Sequence, residues 1–109
     1  MLHNMTNKRL KVIRRRIESI KAQVAGIEDM RPGSLTRQYK DPESRRGAYY
    51  QLSYTRQMRS RTEYVPRDYL PEVRRQIRNY KRFKTLTDQW IALSIEQSRL
   101  TMKRASRRQ

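Results

Sequence analysis

Six apolar residues, Leu10, Ile13, Ile17, Ile20, Val24 and Ile27, follow one another at an unbroken alternation of three and four, and this spacing leaves few folds open. On an α-helix the six line up as one narrow seam, the pattern by which a helix pairs with another helix. The seam predicts a helix over residues 6–28, with Thr6 or Asn7 able to cap its start. Val12 lies off the seam, and Gly26 weakens the last turn before Arg31-Pro32-Gly33 ends the helix. Arg14, Arg15 and Arg16 point mostly away from the seam, as either a solvated face or a phosphate-binding strip; the charge of the whole chain favours the strip.

A second stripe occupies the C-terminal third. Asp68 precedes Leu70-Pro71-Glu72, and Pro near a first turn with an acid close behind is an N-terminal helix signature. A long helix is expected over residues 69–103. Its apolar positions run Leu70, Val73, Ile77 and Tyr80, then shift phase to Phe83, Leu86, Trp90, Leu93, Gln97 and Leu100. Ile91 and Ile95 broaden the stripe, so this half is expected to contact more than one element. A chain of 109 residues buries a modest share of its surface. Pairing of the two seams across a two-fold homodimer is therefore preferred over pairing within one chain.

Between the helices, residues 31–47 read as a connector. Pro32-Gly33-Ser34 and Asp41-Pro42-Glu43-Ser44 form its turns, and Ser34 can cap a short helical turn through Gln38. Tyr50, Leu52 and Tyr54 alternate with Gln51, Ser53 and Thr55, which predicts a half-buried strand. A second strand through Arg61-Thr62-Glu63-Tyr64-Val65 stops at Pro66. Residues 48–66 thus form a β-hairpin, whose turn lacks the Gly expected of a tight one. Tyr50, Tyr54, Tyr64 and Tyr80 fall on faces expected to be buried. Residues 104–109 form a basic tail that orders on binding. The fold class is α+β, mainly α: one domain over 1–109, built as N-terminal helix, two-stranded antiparallel hairpin and long C-terminal helix, paired through heptad seams.

Charge restricts the function more than the fold. Lys and Arg number 27 against 10 Asp and Glu, a formal net charge of +17. Solubility is reached with a net charge of roughly 2–8 in a small domain, so a densely anionic polymer is the expected partner. Arg outnumbers Lys heavily, and guanidinium binds phosphate in bidentate fashion, reads guanine edges and stacks on bases. No segment approaches the roughly 20 apolar residues of a membrane span, and no secretory signal is evident. A cytoplasmic location, with nucleoid or ribonucleoprotein association, is expected. There is no Cys, and the lone His3 lies at the N-terminus, so neither a metal site nor a cofactor is expected. The acids are scattered and read as caps, turn residues or helix ion-pair partners, which leaves no acid–base constellation for catalysis.

The densest binding candidate runs from Arg56 to Lys84. Arg56, Arg59, Arg61 and Arg67 lie in and after the hairpin, and Arg74, Arg75, Arg78, Lys81 and Arg82 sit three and four apart beside the Leu70–Tyr80 stripe. Arg45, Arg46 and the strip Arg14, Arg15 and Arg16 extend the set. Tyr49, on the opposite hairpin face from Tyr50, is placed to stack on a base or lie along a sugar.

Three stretches carry a resemblance: Arg31-Pro32-Gly33-Ser34-Leu35-Thr36-Arg37-Gln38-Tyr39, then Gly47-Ala48-Tyr49-Tyr50-Gln51-Leu52-Ser53-Tyr54, then Val65-Pro66 with Leu70 to Phe83. Together they resemble a family of short bacterial proteins classed as a domain of unknown function, often met near transposases and other mobile-element genes. The resemblance spans roughly residues 30–100. Members of that family often carry a Cys-rich knuckle between the Gln-Tyr and Gly-Tyr-Tyr motifs, where this chain has only Lys40 to Arg46, so the zinc chemistry it implies does not transfer. The hairpin followed by a helix is also similar to the arm-type DNA-binding modules of tyrosine recombinases. The expected function is a non-enzymatic accessory protein that binds DNA or RNA through phosphate contacts, in a mobile-element or larger nucleoprotein setting. The alternative is a coiled-coil scaffold or adaptor for an acidic protein partner, and membrane attachment is not expected.

Overall fold

The computed structural model describes residues 2–107, without the side chains of Leu2 and His3. The expectation for His3 and the end of the basic tail, Arg108 and Gln109, lie outside the described residues. The chain runs α1 (Leu2–Ala25), β1 (Ser34–Asp41), β2 (Arg46–Arg56), β3 (Arg59–Val65), a 3-10 turn (Arg67–Tyr69) and α2 (Leu70–Arg107). None of its helices is long and apolar enough to cross a membrane, among the described residues. Two compact units result: Met1–Ile27 with Phe83–Gln109, and Glu28–Arg82. The phase shift at Tyr80 and Phe83 falls on the boundary between them, because the two halves of α2 serve different cores.

In the first unit Ile13, Ile17 and Ile20 of α1 pack on Leu86 and Leu93 of α2, with Val24, Ile27, Trp90 and Leu100 around them. Leu10 and Ile13 are 1% and 0% exposed. The two seams thus meet inside one chain. α1 starts earlier than residue 6, because no Gly or Pro precedes Thr6 to stop it. Thr6 and Asn7 are therefore helix-interior residues, not caps, and Asn7 accepts a hydrogen bond from Arg104 Nη1 at 3.2 Å. The helix also ends three residues before Glu28: Gly26 N–H reaches back to the Ala22 and Gln23 carbonyls at 3.2 Å, and the chain then leaves the helix. Arg104 and Arg107 of the expected tail continue α2. Ile91 and Ile95 are 57% and 47% exposed.

The second unit holds a three-stranded antiparallel sheet in the order β1-β2-β3, not a two-stranded hairpin. The connector's Ser34–Asp41 is a strand, paired Leu35 to Leu52, Arg37 to Tyr50 and Tyr39 to Ala48. Its alternation is hidden because Arg37 occupies a position on the apolar side, where its guanidinium lies 5.4 Å from the Tyr39 ring centre. Ser34 therefore opens a strand instead of capping a helix. A two-stranded hairpin is marginal in water, and the third strand with the apolar face of α2 completes the core. Leu52, Val65, Leu70, Val73 and Ile77 form that core, with Leu35, Tyr50 and Tyr54 at its margin. The β2–β3 turn is tight despite having no Gly: Arg56 pairs with Arg59, and Gln57 and Met58 both take positive φ, 51° and 64°.

Candidate nucleic-acid interface

Strand register sorts the charges of the sheet. On the side facing the first half of α2 stand Leu35, Tyr50, Leu52, Tyr54 and Val65, and with them Arg37, Arg46, Arg56, Arg59, Arg61, Asp41 and Glu63. Arg56, Arg59 and Arg61 surround a hollow of about 590 Å³ together with Tyr54 and Gln57. A second hollow, of about 370 Å³, lies beside the N-terminal strand, where Arg74, Arg78 and Lys81 meet Gly33, Ser34 and Leu35. The spacing of these last three cations along α2, three and four residues, keeps them on one edge of the helix. Each hollow gathers three cations of the expected site, and none of the six forms a salt bridge among the described residues.

Other expected site residues are placed differently. Arg75 is gripped by Glu72, which accepts from Nε at 3.1 Å and from Nη2, and it also lies 3.5 Å from Glu28. That carboxylate contact raises the Arg75 pKa and lowers that of Glu72. Arg75 thus holds the first turn of α2 to the chain entering the sheet. Arg74 stacks over Tyr50, with 5.8 Å from guanidinium carbon to ring centre. Arg67 is exposed in the 3-10 turn, Arg45 takes φ 55° in the β1–β2 turn next to Arg46, and Arg82 follows Lys81 on the exposed side of α2. Arg14, Arg15 and Arg16 are exposed on α1, in the other unit. Tyr49 is separated from the arginine clusters, because β2 alternation puts it on the opposite face of the sheet. Tyr64, expected to be buried, shares that face and is 67% exposed.

One residue that the sequence reading treated as a helix stop has a larger part. Arg31 donates its backbone N–H to the Gln76 carbonyl at 3.2 Å, contacts Glu63 at 3.1 Å and covers the Tyr54 ring at 5.0 Å. Tyr54 in turn donates its hydroxyl to Glu63 at 2.7 Å. The Tyr54 hydroxyl and Arg31 hold Glu63 below the usual carboxylate range, and the same bond raises the Tyr54 phenol. Beside the basic hollows, the local acid thereby stays ionised, with Arg31 as its counter-charge. Folding alone brings Arg31 and Glu63 together, since they are far apart in sequence.

The β1–β2 turn is closed by side-chain hydrogen bonding. Asp41 accepts from the Ser44 hydroxyl at 2.6 Å and from its backbone N–H at 3.4 Å, which lowers the Asp41 pKa. No three His, Asp or Glu side chains converge as a metal site among the described residues. The second half of α2 presents a different surface, an apolar groove lined by Thr87, Trp90, Ile91, Ser94, Ile95, Ser98, Arg99 and Met102.

Comparison with known families gives a match over residues 8–75, more than half of the chain. The chain belongs to the family described as a domain of unknown function, DUF6788. The DUF6788 match takes in most of α1, the whole sheet and the start of α2, so it begins before the motifs that suggested a family, and it ends before the phase shift in α2. Neither the curated proteins nor the solved structures contain a match.

Proposed function

We propose that this DUF6788 protein is a non-enzymatic nucleic-acid-binding accessory protein that grips phosphates with the two basic hollows of its sheet unit. The observation that carries the reading is the grouping of Arg56, Arg59 and Arg61 in one hollow, and of Arg74, Arg78 and Lys81 in the other, with none of the six in a salt bridge among the described residues and only Arg61 near an acid, Glu63, which Arg31 already binds. Clustered unpaired guanidinium groups repel one another, and polyphosphate removes that cost while releasing condensed counterions. The bacterial, mobile-element or ribonucleoprotein setting suggested by the sequence motifs, and association with nucleoid or ribonucleoprotein, belong to the same proposal.

The test is affinity for labelled DNA and RNA oligonucleotides between about 50 and about 200 mM salt. Each phosphate contact contributes about 0.7 to 0.9 to the slope of log affinity against log salt. Replacing Arg56, Arg59 and Arg61 together by Ala is expected to flatten that slope by about 2 to 3. Affinity that ignores salt would sink the reading.

The apolar groove on α2 favours a second reading, a helix-pairing adaptor or homodimer. Met102, Ile91 and Ile95 are exposed on it at 62%, 57% and 47%. Sedimentation of the wild type against a variant with Ile91→Lys and Ile95→Lys tests it; self-association lost in the variant supports the groove as an interface.

A further inference from the structure

The face of the sheet turned away from α2 has a composition unlike the rest of the chain. Register places ten residues on it: Ser34, Thr36 and Gln38 of β1, Tyr49, Gln51, Ser53 and Thr55 of β2, and Ser60, Thr62 and Tyr64 of β3. About one residue in three of the chain is charged, 34%, yet none of these ten is. Every charged residue with a register partner stands on the helix side instead. Lys40, next in the same alternation of β1 and beside Gly47, is the one charged strand residue on this face, at its edge. So nearly uncharged a surface in so basic a protein is not explained by solubility, and Tyr64 on it is 67% exposed.

The arrangement within the face is ordered. Gln38 of β1 pairs with Tyr49 of β2, and Gln51 of β2 pairs with Tyr64 of β3, so amides and phenol rings alternate in a stepped block across the three strands. The rings are diagonal neighbours, on the order of 7 Å apart. A shallow hollow of about 650 Å³ opens beside them, with Gly47 and Lys40 on its wall. Next to this block lie rows of hydroxyls, where Ser53 meets Thr62 at 3.3 Å and Thr55 meets Ser60 at 3.2 Å. At one end of the face stands Lys40, with Arg45 in the adjoining turn, whereas Arg56 and Arg59 at the other end lie on the helix side.

We propose that this open face binds a single-stranded segment of RNA, with unpaired bases stacked on Tyr49 and Tyr64. The proposal rests on the nucleic-acid reading above and names the ligand it fits. Exposed aromatic rings on a sheet offer stacking to any splayed-out base, and neighbouring amides bond base edges. Charge complementarity sets the direction, with phosphates toward Lys40 and Arg45 and bases over the neutral middle. The hydroxyl rows distinguish RNA from DNA, since they can both donate to and accept from a ribose 2′-hydroxyl. In a duplex the base faces are closed to Tyr49 and Tyr64.

The experiment measures anisotropy of a labelled RNA of about 12 nucleotides without self-complementarity, the DNA of the same sequence, and the duplex of that DNA. Wild type is expected to bind the RNA tightest. Tyr49→Ala and Tyr64→Ala should each weaken RNA binding roughly 5- to 100-fold, leave duplex binding unchanged and keep the salt slope of the wild type. Tyr64→Phe, which keeps the ring, should stay within about two-fold of wild type on RNA. Circular dichroism melts verify that each variant is folded. Equal binding of RNA and DNA strands, a preference for duplex, or tyrosine variants that bind RNA like wild type would each overturn the proposal. None of those outcomes touches the basic hollows, whose failure shows instead as loss of salt dependence on every nucleic acid.

Discussion

Gly33 is the position where one added carbon has the most predictable consequence. Its φ is +143°, a conformation that L side chains rarely adopt, and a Cβ built there lies 2.5 Å from Leu52 Cδ1, 3.1 Å from its Cγ and 3.2 Å from the Ser53 carbonyl oxygen. Leu52 is 0% exposed and enclosed by the core of the sheet unit, so it has little room to move aside. The substitution Gly33→Ala therefore carries two costs: backbone strain on the order of 1–3 kcal/mol and overpacking on the order of 1–3 kcal/mol. Leu52→Ala alone leaves a cavity and costs about 2–5 kcal/mol. In the double variant the clashing atoms are gone while the strain remains, so the combined loss should fall short of the sum by about 1–3 kcal/mol. Urea unfolding followed by circular dichroism gives the four midpoints and slopes needed for the cycle. Additivity within about 0.5 kcal/mol would refute the contact between Gly33 and Leu52 as the origin of the glycine requirement.

Replacing Gln57-Met58 by Asn-Gly should stabilise the sheet unit by about 1 kcal/mol, read as a higher unfolding midpoint, because both positions hold positive φ that Asn and Gly adopt at lower cost. Arg75→Ala should leave the salt slope of nucleic-acid binding near wild type, whereas Arg74→Ala with Arg78→Ala should flatten it by about 1.5, since only Arg75 is held by two carboxylates. Glu63, Glu72, Glu96 and Asp41 all titrate below their ordinary values in the fold, so the stability they contribute is present above those values, 4.5 for Glu and 3.8 for Asp, and is lost as pH falls through the lowered ones. Melting temperature should accordingly hold steady from neutral pH to about 5 and drop in more acidic buffer, with a shallower drop in Glu63→Gln. Ile13→Ala, at a fully buried position against Leu86 and Leu93, should cost about 2–5 kcal/mol by urea unfolding.

The sequence by itself determined the two helices, their seams and the phase shift within α2. Those features are legible because a helix buries one stripe of its own local spacing, and Leu10, Ile13, Ile17 and Ile20 display it without interruption. The hairpin was legible for the same reason at period two, through Tyr50, Leu52 and Tyr54. Tertiary structure decided the rest. β1 exists through pairing with β2, and Arg37 on its apolar side hides the alternation that would announce it. The basic residues were visible as a charge excess, but which of them are paired depends on contacts from distant segments, as with Arg75 and Glu28 or Arg31 and Glu63. The separation of Tyr49 and Tyr64 from the arginines likewise follows from register, since a strand sends successive side chains to opposite faces and only pairing with its neighbours fixes which face meets the core.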